Sequence, residues 1–301
     1  MSVQIGKSLF IWQIEAIYQG DVQQIAAAVA AAGFESVQVH NTNLTGWGTA
    51  QRLALVKAVQ AEGVEVWGSA AVYGTKPEEE GKQAAALVED LGLDGFLFDA
   101  ESDFDRRPQA DSNAVKLLQS YKGLTKQPAG WCWWPLHHAR SNKNQLLHPK
   151  GVLWAAMAPR YGDADVGLPM CYWSWGNTYT NAVDYLVESW GQWREITDKP
   201  LAPIGRAYIG NGGTPNPSAV KAFGARARAL GAVGVSWWSM QHALDVDHLP
   251  ELWPALSKLE RFGAAAPVEP APAPVDWYAA IDAWARERGY AGPAAPVGDR
   301  I

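Results

Sequence analysis

Asp99 and Glu101 stand two residues apart, directly behind the apolar run Phe96–Leu97–Phe98. In an extended chain, residues two apart share a face. Leu97, Asp99 and Glu101 therefore point one way, and Phe96, Phe98 and Ala100 the other. Two carboxylates in a partly dry site cannot both ionise freely, so one is driven to keep its proton. The result is a proton donor beside a charged helper, the arrangement that cleavage of a glycosidic bond uses. Asp103 and Asp105 follow, but they lie past the apolar run, before Arg106–Arg107–Pro108, and read as solvated loop acids. A cation site made from this cluster would need further oxygen ligands.

The other residues able to do chemistry are aromatic or histidine. The chain carries 16 tryptophans in 301 residues, and an indole offers a flat apolar face on which a sugar ring can lie. His137 and His138 are adjacent and form neither HExxH nor HxH, which argues against catalytic zinc. No GxSxG elbow is present, which argues against a serine hydrolase. His40 is a candidate hydrogen-bonding group for substrate. Cys132 and Cys171 form no CxxC pair and read as buried thiols. Neither a metal nor a cofactor is expected.

These residues need elements to position them. Apolar strand-like runs at 8–15, 36–40, 65–70, 94–101, 129–134, 167–173, 202–208 and 233–239 alternate with amphipathic helical runs that open on polar residues and stop at Gly33, Gly63, Gly92 and Gly231. Eight βα units predict an α/β fold, a (β/α)8 TIM barrel over residues 1–263. No Gly-rich phosphate loop follows the first strand, as an open doubly wound sheet would more often have. The Gly-rich run Ile209–Pro217 comes after the seventh strand and reads as a turn-rich loop. Residues 264–275 form an Ala/Pro linker, and 276–301 a short tail with one amphipathic helix, Asp276–Gly289, whose Trp277, Ile281 and Trp284 share a face. The tail is expected to dock on the barrel, to contact a partner, or to be the remnant of a wall-binding module.

A barrel of this kind carries its site at the C-terminal ends of its strands. That rule selects Trp12 and Glu15, His40, Trp67, Asp99 with Glu101, Trp131 and Trp133, Tyr172 and Trp173, Arg206, and Trp237 with Trp238. Aromatics ringed around carboxylates predict a carbohydrate cleft. A net charge of −6 with no Lys/Arg block argues against nucleic acid as a partner. The N-terminus lacks the apolar core of a signal peptide, and no apolar run is long enough to cross a bilayer. The cytoplasm is the default expectation, with release to a cell wall or association with a virion as the other route.

At these residues the sequence resembles a known superfamily. "DGFLFDAE" (94–101) resembles the DGxDxDxE signature of the family 18 glycoside hydrolases, the chitinase-like barrels. The resemblance implies that Glu101 is the general acid and that Asp99 orients the substrate's N-acetyl group, whose oxygen acts as nucleophile. "MCYW" (170–173) resembles the family's MxYD, which implies that Tyr172 helps hold the acetamido group. Trp237 or Trp238 matches the family's eighth-strand Trp beneath the cleaved sugar. Leu97 and Trp173 stand where the two motifs carry Asp. A second resemblance is to family 25 lysozymes, which carry a DxE pair on a barrel strand; "FIWQIEAIYQGD" is similar to their opening strand, with Glu15 near the expected acid. Both imply hydrolysis of a β-linked, N-acetylated polysaccharide such as chitin or peptidoglycan. The alternatives are a barrel that binds such a glycan without cutting it, or a phage-associated structural or lytic component.

Overall fold

The computed structural model describes residues 3–42, 44, 50–138, 151–158, 162–173, 181–210, 213–245 and 247–262. Eight strands run β1 Gly6–Ile11, β2 Ser36–Asn41, β3 Glu65–Ala71, β4 Gly95–Asp99, β5 Ala129–Trp133, β6 Val166–Pro169, β7 Ile204–Arg206 and β8 Gly234–Trp238. The helices among the described residues are α1 Val22–Ala31, α2 Ala50–Ala61, α3 Pro77–Leu91, α4 Ser102–Asp105, α5 Ala110–Lys122, α6 Gly151–Met157, α7 Ala182–Arg194, α8 Pro217–Ala229, α9 Met240–Ala243 and α10 Leu252–Ser257. None is long and apolar enough to cross a membrane. The expected linker (264–275) and tail (276–301) lie outside the described residues.

The ladder runs β6-β5-β4-β3-β2-β1-β8-β7, with every pair parallel. Parallel bridges Gly167↔Leu201 and Met170↔Ile204 join the two ends. This is the expected (β/α)8 barrel. Helix ends follow local chemistry. Asp21 caps α1 by accepting from the Gln23 and Gln24 amides at 3.0 and 3.1 Å. Pro77 opens α3, with Glu78, Glu79 and Glu80 in its first turn, where the helix dipole favours acids. The four helix-stopping glycines all take positive φ, between 65° and 81°.

Strand boundaries are shorter than expected at several site-bearing ends. β1 stops at Ile11, and the chain turns through two short 3-10 segments at 14–16 and 18–20. β4 stops at Asp99 and β6 at Pro169. Strand alternation divides the barrel into two cores. Ser8, Gln38, Trp67, Leu97, Leu168 and Ile204 lie on inward-facing positions, while Phe96, Phe98, Trp131 and Trp237 face the helices. Phe98 meets Tyr121 of α5 edge-on at 5.3 Å, and Trp237 meets Phe223 of α8 at 5.5 Å. The inner layer is closely fitted: a Cβ on Gly95 would lie 2.6 Å from the Trp67 ring.

At the N-terminal end of the strands, the buried Lys7 holds the ring to its surroundings. Its Nζ donates to the carbonyls of Ala32, Ser257 and Leu259 at 2.7, 2.9 and 3.0 Å. Glu35 Oε2 accepts from the amides of Lys7 and Phe262, each at 2.8 Å. One lysine thus serves the end of α1 and the segment after α10. Lys7→Met should leave these carbonyls unserved and lower stability by about 2–3 kcal/mol, measured by urea denaturation of both proteins.

Candidate active site

At the C-terminal ends of the strands, a cavity of about 290 Å³ is lined by Phe10, Trp12, His40, Thr42, Asp99, Glu101, Cys132, Met170, Tyr172, Ile204, Tyr208 and Trp238. Seven strands or strand ends contribute to it. Strand alternation explains the selection: Phe10, His40, Asp99, Cys132 and Trp238 each sit on an inward position at or near the end of a strand. A larger hollow of about 770 Å³ lies between α8 and α10, against Lys7 and Trp237, away from the strand ends and their acids.

Asp99 carries the distinctive electrostatics. Its Oδ1 is buried and has no hydrogen-bond partner among the described residues. Burial, and then the nearby charge of Glu101, push its carboxyl well above the ordinary carboxylate range. Leu97, fully buried two residues earlier, supplies an apolar side chain on the same face. Glu101 is exposed and stands just past the strand, as the residue before α4. The pair therefore has one dry and one wetter member, although β4 itself ends at Asp99.

The neighbours of the pair stay neutral. Burial, then Asp99 and Glu101, raise the Cys132 thiol well above its usual range, so it is no nucleophile near neutral pH. Burial, with Asp99 the largest charge, holds the Tyr172 phenol in its donor form. His40 is lowered to about 3 by burial and by Arg52, which keeps the ring uncharged. Its Nδ1 lies 2.9 Å from Ser69 Oγ. Trp238 packs edge-on against His40 at 5.1 Å and tilts by 30° over Trp12 at 5.8 Å. No lysine or arginine is among the described lining residues. The cavity is thus acidic and aromatic, suited to a neutral ligand rather than a phosphate or carboxylate.

The structure brings together Trp12, His40, Asp99, Glu101, Tyr172 and Trp238 from the residues selected by sequence. It places the others elsewhere. Trp67 is an inner-core residue at 1% exposure, and Trp131 and Trp133 are fully buried against the helical shell. Trp131 meets Phe104 at 5.6 Å. Trp173 and Trp237 both pack on Phe223, each at 5.5 Å. These five were expected on the cavity and are not there: Trp131, Trp133 and Trp237 have outward strand parity, Trp67 faces inward but lies deep beside Gly95, and Trp173, past the end of β6, turns onto Phe223. Glu15 lies exposed in a 3-10 turn outside the lining. Asp105 is no idle loop acid, since it accepts the Trp133 indole N–H at 2.8 Å.

Arg206 is the clearest correction. It is fully buried, and its guanidinium serves backbone rather than substrate. Nη1 donates to the Trp173 carbonyl at 2.7 Å and Nε to the Tyr208 carbonyl at 3.0 Å, while Nη2 donates to the Gly213 carbonyl. The same group stacks at 4.9 Å on the Tyr208 ring, which meets Tyr172 edge-on at 5.6 Å. Arg206 thus holds the segments after β6 and β7 and, through Tyr208, backs Tyr172. Tyr208 stands beside Arg206 among the strand-end candidates; Phe10, Thr42, Cys132, Met170 and Ile204 were not selected from sequence, and inward strand parity was the signal that could have found Phe10, Cys132 and Ile204.

No family model matches the sequence, and no curated protein matches it. Solved structures do match in fold. A class V chitinase from Nicotiana tobaccum aligns with a TM-score of 0.61 at 11% identity, covering 87% of this chain and 100% of that one. A variant of that chitinase was solved in complex with NAG4. The spore cortex-lytic enzyme SleL of Bacillus megaterium aligns at 0.60 and 10% identity, over 84% of this chain and 73% of that one. The chitinase-like agglutinin of Robinia pseudoacacia aligns at 0.55 and 12% identity, over 83% and 99%. In fold the chain is a TIM barrel similar to those of this chitinase, the cortex-lytic enzyme and the agglutinin.

Two outcomes follow from the geometry. A carboxyl whose pKa is raised on folding binds its proton more tightly in the native state. Its cost is absent below the ordinary value of 3.8, and grows as pH climbs from there towards the raised value. Asp99→Asn should therefore match the wild type in Tm near pH 4 and exceed it increasingly at higher pH, read by calorimetry across pH 4–8. Arg206→Met should leave buried carbonyls unserved and cost about 2–4 kcal/mol, read by chemical denaturation.

Proposed function

We propose that the protein is a glycoside hydrolase acting on a β-linked, N-acetylated polysaccharide, chitin-like or peptidoglycan. The observation that carries the reading is the buried, proton-retaining Asp99 beside the exposed Glu101, in an aromatic cavity at the strand ends. Support comes from the fold shared with chitinases and a cortex-lytic enzyme, and from the NAG4 complex of one such chitinase. In this reading the sugar at the cleavage point lies on Trp238, with Trp12 extending the platform. Glu101 gives its proton to the leaving glycosidic oxygen. The acetamido oxygen attacks the anomeric carbon as that bond breaks, and Asp99 holds the acetamido N–H. Tyr172 donates to the acetamido oxygen and orients it. Water then opens the cyclic intermediate, giving up a proton to Glu101 and restoring the acid. His40, neutral and steered by Ser69, offers a hydrogen bond to a sugar hydroxyl.

Leu97 stands where chitinases carry a proton-sharing Asp. Here burial, the larger cause, keeps the proton on Asp99 and acts equally while Glu101 is protonated as the acid; the charge that Glu101 acquires after donating pushes the same way. Losing the Asp removes a hydrogen bond but leaves the electrostatic requirement met.

A second reading, a barrel that binds glycan without cutting, is favoured by the same Leu97 and Trp173 and by the fold shared with an agglutinin. Glu101→Gln separates the two. For a hydrolase, the variant should lose about 10²-fold or more in oligosaccharide release from chitin or peptidoglycan while keeping its Tm and its affinity for chito-oligosaccharide. Wild-type binding with no release over long incubation selects the binding barrel, and an unchanged rate in the variant removes Glu101 as the acid.

A further inference from the structure

Away from the cavity, three metal-ligand side chains converge. His137 and His138 lie on the turn that follows β5, and Glu195 immediately follows α7. His138 Nε2 lies 3.0 Å from Glu195 Oε2, and His137 Nε2 lies 3.6 Å from the same oxygen. The three candidate ligand atoms all lie within 4.8 Å of one another. In tetrahedral zinc coordination, bonds of about 2.0–2.2 Å set ligand atoms about 3.3–3.5 Å apart. The two measured separations bracket that spacing. Adjacent residues on a regular strand would diverge, but the turn brings the two imidazoles to 4.2 Å between centroids, at 79°. The sequence offered no zinc motif because the third ligand is 57 residues away along the chain.

We propose that His137, His138 and Glu195 form a binding site for one zinc-type divalent ion, which ties the segment leaving β5 to the C-terminal end of α7. Two imidazoles and one carboxylate suit zinc or another late first-row ion, and disfavour calcium or magnesium, which take oxygen ligands. The surroundings brace the ligands. His138 N donates to Gln192 Oε1 at 2.9 Å, and Gln192 Nε2 donates to Glu188 Oε1 at 2.7 Å. His137 Nε2 lies 2.8 Å from the Gln192 carbonyl, one of the last carbonyls of α7. Without an ion, that nitrogen carries the proton and caps the helix end. With an ion, each imidazole presents Nε2 to it and carries its ring proton on Nδ1. The Gln192 carbonyl, or a water, then takes the fourth position. His137 is buried while His138 and Glu195 are exposed, so an ion can enter from solvent. None of the three lines the cavity, so the ion serves structure rather than the chemistry at Glu101.

The test uses the full chain without a histidine tag, stripped with chelator and titrated with zinc chloride by calorimetry at pH 7.5. The expected result is one ion bound per chain with a rise in Tm. His138→Ala and Glu195→Gln change exposed positions and should fold; each should weaken binding about tenfold or more. His137→Ala also removes a buried contact, so the other two variants decide the question. No saturable binding by the wild type overturns the site. So does binding left unchanged in both His138→Ala and Glu195→Gln.

Discussion

The site depends on one physical constraint: an acid held dry on the inner face of a barrel strand. Asp99 ends β4 with one oxygen buried and unpartnered among the described residues. An isolated carboxylate cannot stay ionised there at reasonable cost, so the group keeps its proton. The charge of Glu101 pushes the same way, and Cys132 and Tyr172 stay protonated beside it. Neutral donors thus surround the point where a ligand would sit. The arrangement costs stability, which the two packed layers of the barrel must supply.

The tryptophans divide according to strand parity. Trp131 and Trp237 lie on outward positions, and Trp173 also meets the shell, so all three join the helices to the sheet. Trp67 faces inward but lies deep against Gly95. Only Trp12 and Trp238, among the selected tryptophans, reach the cavity. An aromatic-rich chain here reflects a well-filled shell as much as a sugar platform. The buried Arg206 belongs to the same supporting framework. With carbonyls at three backbone positions as its partners, it fixes segments that bear Tyr172 and Tyr208.

Leu97, fully buried two residues before Asp99 on the same face, surrounds the acid with an apolar side chain. Trp173 likewise packs its ring on Phe223, at a position where the resembling motif carries an acid. Both positions present apolar packing near the strand ends.

The period of apolar runs, the polar helix starts and the glycine stops determined the eight βα units, because each is a local consequence of burial periodicity and backbone freedom. The same alternation determined that Asp99 shares a face with Leu97 and turns away from Phe96 and Phe98. Tertiary structure alone decided which strand-end aromatics reach the cavity, since that requires knowing where each strand stops and which parity faces inward. It also decided that Arg206 spends its donors on carbonyls, that Asp105 holds Trp133, and that Glu195 meets His137 and His138. Those contacts join residues far apart in the chain, and only closure of the barrel sets the distances between them.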